Sequence, residues 1–189
     1  ALTKIKNNLK KAVEKGKVAE SDFDKILSRV TALQSFREVE ADMVIEAVIE
    51  DLQVKENLLK QIEDVVSPRT LICTNTSSIP VTKICMGMKH PERLVGMHFF
   101  NPAHIMKLVE VVSTAITDKD KLKDSIELVK LFGKTPVLAK DSPGFIVNRV
   151  ARQFYVESLK VVEDGVASYE DIDQLMEATG FKMGPFKLM

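Results

Sequence analysis

The chain has 189 residues, 45% hydrophobic and 29% charged, which suits one globular domain or one domain plus part of a second. Lysine plus arginine and aspartate plus glutamate both number 27, so the balance gives no support to a generally basic nucleic-acid binder or an acidic tail. Cys73 and Cys85 form no CxxC pair and have no histidine cluster around them, which argues against a disulfide framework or a zinc site and fits a reducing compartment. No apolar run approaches the ~20 residues of a membrane span, so neither membrane nor nucleic acid is an expected partner.

Leu2, Ile5, Leu9, Ala12 and Val13 recur at helical spacing up to Gly16 and predict an amphipathic helix. Residues 1–17 carry six lysines against Glu14 alone, a net of +5. That surplus reads as a solvated face or as a site for an anionic ligand. A second helical piece is expected from Ser21, a good N-cap, through Phe23, Ile26 and Leu27.

The nearly continuous apolar run Asp42 to Glu50, with Glu46 as its odd member, predicts a strand covered on both faces. A helix from about Asp51 to Val66, a short strand Thr70–Thr74 and a short helix near Pro80–Met86 follow. Leu94–Phe99 then reads as a buried strand of a parallel sheet, ended by Asn101-Pro102. Leu108–Val112 is one more strand, Asp118–Leu131 a helix closed by Gly133, and Val137–Ala139 a last short strand. After Asp141-Ser142-Pro143-Gly144 the pattern turns helical, with Phe145–Glu163 and a further segment from Ser168. Strand, helix, strand order makes the fold class α/β, with a domain boundary near residue 140.

His98 lies at the carboxyl end of a predicted strand, the end where open α/β sheets bind ligands, and is a candidate acid or base. Glu110, 12 residues later, is the carboxylate that can return to orient it. His90 and His104 have no assigned role.

Three stretches resemble the L-3-hydroxyacyl-CoA dehydrogenases in order and spacing: Asn75-Thr76-Ser77-Ser78-Ile79-Pro80, His98-Phe99-Phe100-Asn101-Pro102 with Met106 to Val111, and Asp141-Ser142-Pro143-Gly144-Phe145-Ile146-Val147-Asn148-Arg149. Met183-Gly184-Pro185-Phe186 resembles a later motif of that family's helical domain. The resemblance implies reversible oxidation of a 3-hydroxyacyl-CoA to a 3-ketoacyl-CoA with NAD, in fatty-acid β-oxidation or related acyl-CoA metabolism. It matches His98 to the catalytic base, Glu110 to its partner, Ser77 to a serine that donates toward the substrate oxygen near the nicotinamide, and Asn148 to an asparagine that meets substrate. Ser77 has an alternative as a helix N-cap, a role for which Ser78 is better placed.

For the cofactor, Glu50 and Lys55 correspond to positions around the nicotinamide ribose and Asn101 to one beside the ring, while a charged residue opening a helix is an equally ordinary reading of Glu50. Lys4, Lys10 and Lys11 fall where the family approaches the phosphates of CoA. None of the eight glycines forms the family's GxGxxG turn, and the chain opens on what resembles the helix after the second strand. The expected architecture is therefore an incomplete Rossmann-like doubly wound sheet over residues 1–140, lacking its first βαβ unit. Residues 141–189 would begin the helical substrate and dimerisation domain, with an acyl-CoA substrate and a homodimer in the complete protein. The compartment implied is cytoplasmic, or the mitochondrial matrix in a eukaryote. The alternatives are a non-catalytic CoA-binding or structural module and a segment of a multifunctional β-oxidation chain.

Overall fold

The computed structural model describes residues 2–35 and 40–189, which divide into two compact units, Ala1–Glu40 and Ala41–Met189. In the first, α1 (Leu2–Glu14) buries no residue and ends at Gly16, whose φ of 65° lets the chain turn back on the last helical carbonyls. Ser21 does not cap the next helix. It lies inside a 3-10 turn, Glu20–Asp22, that runs directly into α2 (Phe23–Leu27), so its side chain is past the position from which a cap acts. Lys4, Lys10 and Lys11 are exposed on α1.

The second unit is built on one sheet whose strands β1 (Met43–Glu46), β2 (Leu71–Thr74), β3 (Leu94–Phe99), β4 (Leu108–Ser113) and β5 (Thr135–Lys140) lie in chain order. The pairs β1–β2, β2–β3 and β4–β5 are parallel, each joined through a helical crossover: α3 (Leu52–Val65), α4 (Val81–Cys85) and α5 (Lys119–Leu131). This is the expected α/β class, with one departure from an all-parallel sheet, because β4 runs antiparallel to β3. The connection over residues 100–107 is too short for a parallel crossover, which needs a dozen residues or more.

Alternation along the strands sorts side chains between two faces. Leu71, Cys73, Val95, Met97, Val109 and Val111 pack with Val129 of α5 to form one core layer. Burial pushes the Cys73 thiol up to about 12, against a smaller opposing hydrogen bond with Ser125, so it behaves as a core residue. The opposite face carries Gly96, His98, Glu110 and Val112, with α4 over it. A Cβ on Gly96 would stand 2.7 Å from Cβ of Val112 and 2.9 Å from Cγ2 of Val81, so glycine is what lets α4 seat this close to β3.

β1 is shorter than the apolar run suggests. The Glu46 carboxylate accepts the Val48 N–H at 2.7 Å and turns the chain out of the sheet, leaving Glu50 four positions beyond the strand, just ahead of α3. Asp51 caps α3 through the Val54 N–H, and Asp118 caps α5 through those of Asp120 and Lys121. The last helices are α6 (Val147–Glu163), α7 (Tyr169–Ala178, capped by Ser168) and α8 (Pro185–Leu188). α6 starts two residues later than expected, because Gly144 and Phe145 take positive φ values of 72° and 45° in a tight turn. Asp173, buried on α7, accepts the Phe186 and Lys187 N–H groups at the head of α8, and any Cβ on Gly184 would run into it. Among the described residues no helix is long and apolar enough to cross a membrane.

Candidate active site

The antiparallel return of β4 sets His98 directly opposite Glu110 in the register. The two side chains are 7% and 1% exposed, and Nδ1 of His98 lies 2.8 Å from Oε2 of Glu110. An ionised carboxylate has only acceptor sites, so the hydrogen of this bond belongs to Nδ1, and in the neutral ring Nε2 keeps its lone pair. Phe100 and Phe145 flank the ring at centroid distances of 4.6 and 5.7 Å, which restrict how the imidazole can turn. Glu110 does a second job with its other oxygen. Oε1 accepts the N–H groups of Ile146 and Val147, both at 2.9 Å, and so caps α6, which has no side-chain cap of its own.

Ser77 lies on the loop after β2, and that loop is fastened to β3 next to the histidine, since Asn75 Oδ1 accepts the Phe99 N–H at 2.8 Å. Most of the loop's other donors converge on Glu50. Its Oε1 accepts the Thr76 hydroxyl at 2.7 Å and the N–H groups of Ser77 and Ser78 at 2.8 and 2.9 Å, with longer contacts from the Ser78 hydroxyl and the Ile79 N–H. Burial alone would raise the Glu50 carboxyl, but the bonds from Thr76, Ser78, Ser77 and Lys55 outweigh it and bring the pKa from 4.5 down to about 2. Lys55 Nζ bridges Glu46 Oε1 at 2.8 Å and Glu50 Oε2 at 3.2 Å in a buried pair completed by the Thr74 hydroxyl on Glu46.

Ser78 does not cap α4. Its N–H and hydroxyl both go to Glu50, and the N–H groups of Val81 and Thr82 are taken by Asp141, from just beyond β5. The Ser77 hydroxyl makes no hydrogen bond to the described residues. Asn148, in the first turn of α6, reaches the same loop, with Nδ2 3.4 Å from the Ser77 carbonyl. The fold thus brings Ser77, His98, Glu110 and Asn148 into one neighbourhood, with Glu50 and Lys55 behind the Ser77 loop. Asn101 is exposed beyond β3, and the peptide bond from it to Pro102 is cis. His104 is exposed, and His90 faces Glu92 at 3.4 Å.

Sequence reasoning missed the carboxylate clamps. The signal available for Asp141 was an acidic residue opening the Asp-Ser-Pro-Gly motif. For Glu46 it was a lone charge inside an apolar strand.

The family model described as 3-hydroxyacyl-CoA dehydrogenase, NAD binding domain, matches residues 1–142, and that for the C-terminal domain matches residues 144–189. A 3-hydroxyadipyl-CoA dehydrogenase of Escherichia coli (strain K12) is 44% identical over 190 residues, covering 100% of this chain and 40% of that protein. A 3-hydroxybutyryl-CoA dehydrogenase of Clostridioides difficile is 39% identical, covering 99% of this chain and 67% of the relative. The crystal structure of an (S)-3-hydroxybutyryl-CoA dehydrogenase from Ralstonia eutropha superposes with a TM-score of 0.94 at 35% identity, covering 99% of this chain and 67% of that one. The chain therefore spans between 40% and 67% of the length of these relatives. Matched across both family models, the chain belongs to the 3-hydroxyacyl-CoA dehydrogenase family.

Proposed function

We propose that the full-length protein interconverts 3-hydroxyacyl-CoA and 3-ketoacyl-CoA with NAD, in fatty-acid β-oxidation or related acyl-CoA metabolism. The observation that carries this reading is the buried His98–Glu110 pair, which leaves Nε2 of His98 as an acceptor. In the oxidative direction Nε2 takes the proton of the 3-hydroxyl, and in the reductive direction it returns it to the 3-keto oxygen. Glu110 holds the ring in the tautomer this needs and offsets the positive charge that the ring then bears. Ser77 and Asn148 donate to the substrate oxygen. A hydroxyl and a neutral amide polarise it without competing strongly for the proton.

NAD supplies the hydride acceptor when bound. The residues fit its nicotinamide-ribose end. Lys55 uses two of its three N–H donors on Glu46 and Glu50, so one donor remains, and the half-buried Glu50 side chain, 34% exposed, is the carboxylate of the group open to a ribose hydroxyl. Glu50, Lys55, Ser77 and Asn101 are assigned to that role. Residues 1–140 are the NAD-binding part and residues 141–189 the start of the helical substrate domain. Lys4, Lys10 and Lys11 are assigned to the CoA phosphates, and the complete protein is a homodimer of the cytoplasm or, in a eukaryote, of the mitochondrial matrix.

The test is consumption of NADH by the purified full-length protein on addition of acetoacetyl-CoA. Steady turnover is expected, and NADH binding without turnover on any 3-ketoacyl-CoA would overturn the reading.

A further inference from the structure

Asp141 has no part in the chemistry just described, yet it joins the two segments that carry the substrate-oxygen donors. It follows β5 directly, and its own N–H is fixed at 3.1 Å to the carbonyl of Ser113, the last residue of β4. Its Oδ1 accepts the Val81 N–H at 3.0 Å, and its Oδ2 accepts the Thr82 N–H at 2.7 Å and the Thr82 hydroxyl at 2.5 Å. These are the first two residues of α4, which has no side-chain cap of its own. Val81 is fully buried and its side chain lies over Gly96, two residues before His98.

Upstream of α4, Ser77 is four residues away, and its carbonyl faces Asn148. Downstream of Asp141, the Ser142–Ile146 turn leads in five residues to α6, with Asn148 on its first turn. The contacts close a ring: Asp141 to α4, α4 to Ser77, Ser77 to Asn148, and α6 back to Asp141 through the turn. Glu50 holds the loop from the β1 side, while from the side of the helical segment Asn148 reaches the Ser77 carbonyl at 3.4 Å and the Asp141 carboxylate fixes the start of α4, into which the loop runs.

We propose that Asp141 is a positioning residue that sets Ser77 against His98 by clamping the start of α4 to the junction that leads into α6. The inference rests on the roles assigned above to Ser77 and His98. An asparagine at 141 keeps the shape, but in either amide orientation its NH2 meets one backbone N–H of Val81 or Thr82, so the clamp opens on one side.

The experiment is a double-mutant cycle in the full-length protein with Asp141→Asn and Ser77→Ala, following kcat and KM for acetoacetyl-CoA reduction, with His98→Gln as a reference. Asp141→Asn is expected to lower kcat about 10- to 100-fold, the scale of a roughly 1 Å misplacement, with KM for NADH and the pH dependence of kcat unchanged. The double variant is expected to be no slower than the slower single variant, because both changes remove the same contribution. Losses that multiply, or an Asp141→Asn protein that is less stable but turns over normally, would overturn the proposal. Thr82→Val, which removes one donor of the clamp and no backbone group, keeps the test open if Asp141→Asn fails to fold. It is expected to lower kcat several-fold with the same non-additivity toward Ser77→Ala, and multiplicative losses count against the proposal here too. A fully active His98→Gln protein would sink the underlying reading together with this inference, whereas an inactive one with additive Asp141 and Ser77 effects would sink the inference alone.

Discussion

Replacing Glu110 with glutamine separates its two tasks. The carboxylate is buried and accepts three hydrogen bonds, from His98 Nδ1 at 2.8 Å and from the Ile146 and Val147 N–H groups at 2.9 Å each. Glutamine offers one oxygen and one NH2, so one side loses its acceptor. Turning the NH2 toward α6 would leave two part-buried N–H groups without their acceptor, at roughly 1 kcal/mol each, the low end of the range for a lost partner. Turning it toward His98 costs less, because the imidazole can move its hydrogen to Nε2 and accept at Nδ1. The oxygen therefore stays on α6 and the histidine is driven into the tautomer that has no lone pair toward substrate.

The expected loss in kcat is about 10³- to 10⁴-fold, the scale known for a triad carboxylate changed to its amide. Stability should fall far less. Two charge-assisted bonds become neutral ones, a loss of about 1–3 kcal/mol, or roughly 2–10 °C in Tm for a chain of this size. Turnover by NADH absorbance and unfolding by circular dichroism, both on the full-length protein, give the two numbers. A Glu110→Gln protein that turns over within a few-fold of the parent would refute the tautomer argument. One that unfolds outright would refute the amide orientation.

Three further outcomes follow from particular contacts. Gly96→Ala is expected to destabilise by about 1–3 kcal/mol in urea titrations, because its methyl would meet Val112 at 2.7 Å and Val81 at 2.9 Å from different elements. Unchanged stability would mean that α4 is not held against β3 as described. Glu50 has a folded-state pKa lowered from 4.5 to about 2, so the stabilisation it gives is complete above pH 4.5 and is lost as the pH falls toward 2. Urea midpoints measured across that window should decline less steeply in Glu50→Gln than in the parent, and parallel declines would contradict the Glu50 clamp. Asp118→Ala, which leaves the Asp120 and Lys121 N–H groups uncapped, should cost about 1 kcal/mol without changing kcat, read by thermal unfolding and turnover together.

The elements that rest on local signals were legible in the sequence. The amphipathic pattern of α3 with its start near Asp51, the start of α5 at Asp118 and the helical segment from Ser168 all read directly from short windows. His98 and Glu110 were legible as a pair because an eight-residue connection separates their strands, so their meeting is nearly a local event. What escaped reading depends on groups brought together from far along the chain. Glu50 holds the loop at Ser77 from 27 residues away, Asp141 reaches Thr82 from 59, and Glu110 caps α6 from 36.

Each of these carboxylates binds backbone N–H groups, which every residue but proline carries, so no side-chain pattern marks the receiving end. The same cause misplaced the cap of α4 on Ser78 and the end of β1 at Glu50. In both places a carboxylate, Asp141 or Glu46, redirected the backbone in a way that propensity does not encode.

The central claim is that Nε2 of His98 moves the substrate proton. Its most direct test is the single-turnover rate of NADH oxidation by 3-ketoacyl-CoA in the full-length protein carrying His98→Gln, with NADH affinity and circular dichroism measured on the same sample. Glutamine cannot take or give a proton at neutral pH, so the rate is expected to fall about 10²- to 10⁴-fold while the fold and NADH binding are kept. A folded His98→Gln protein that binds NADH and reacts at the parent rate would contradict the account.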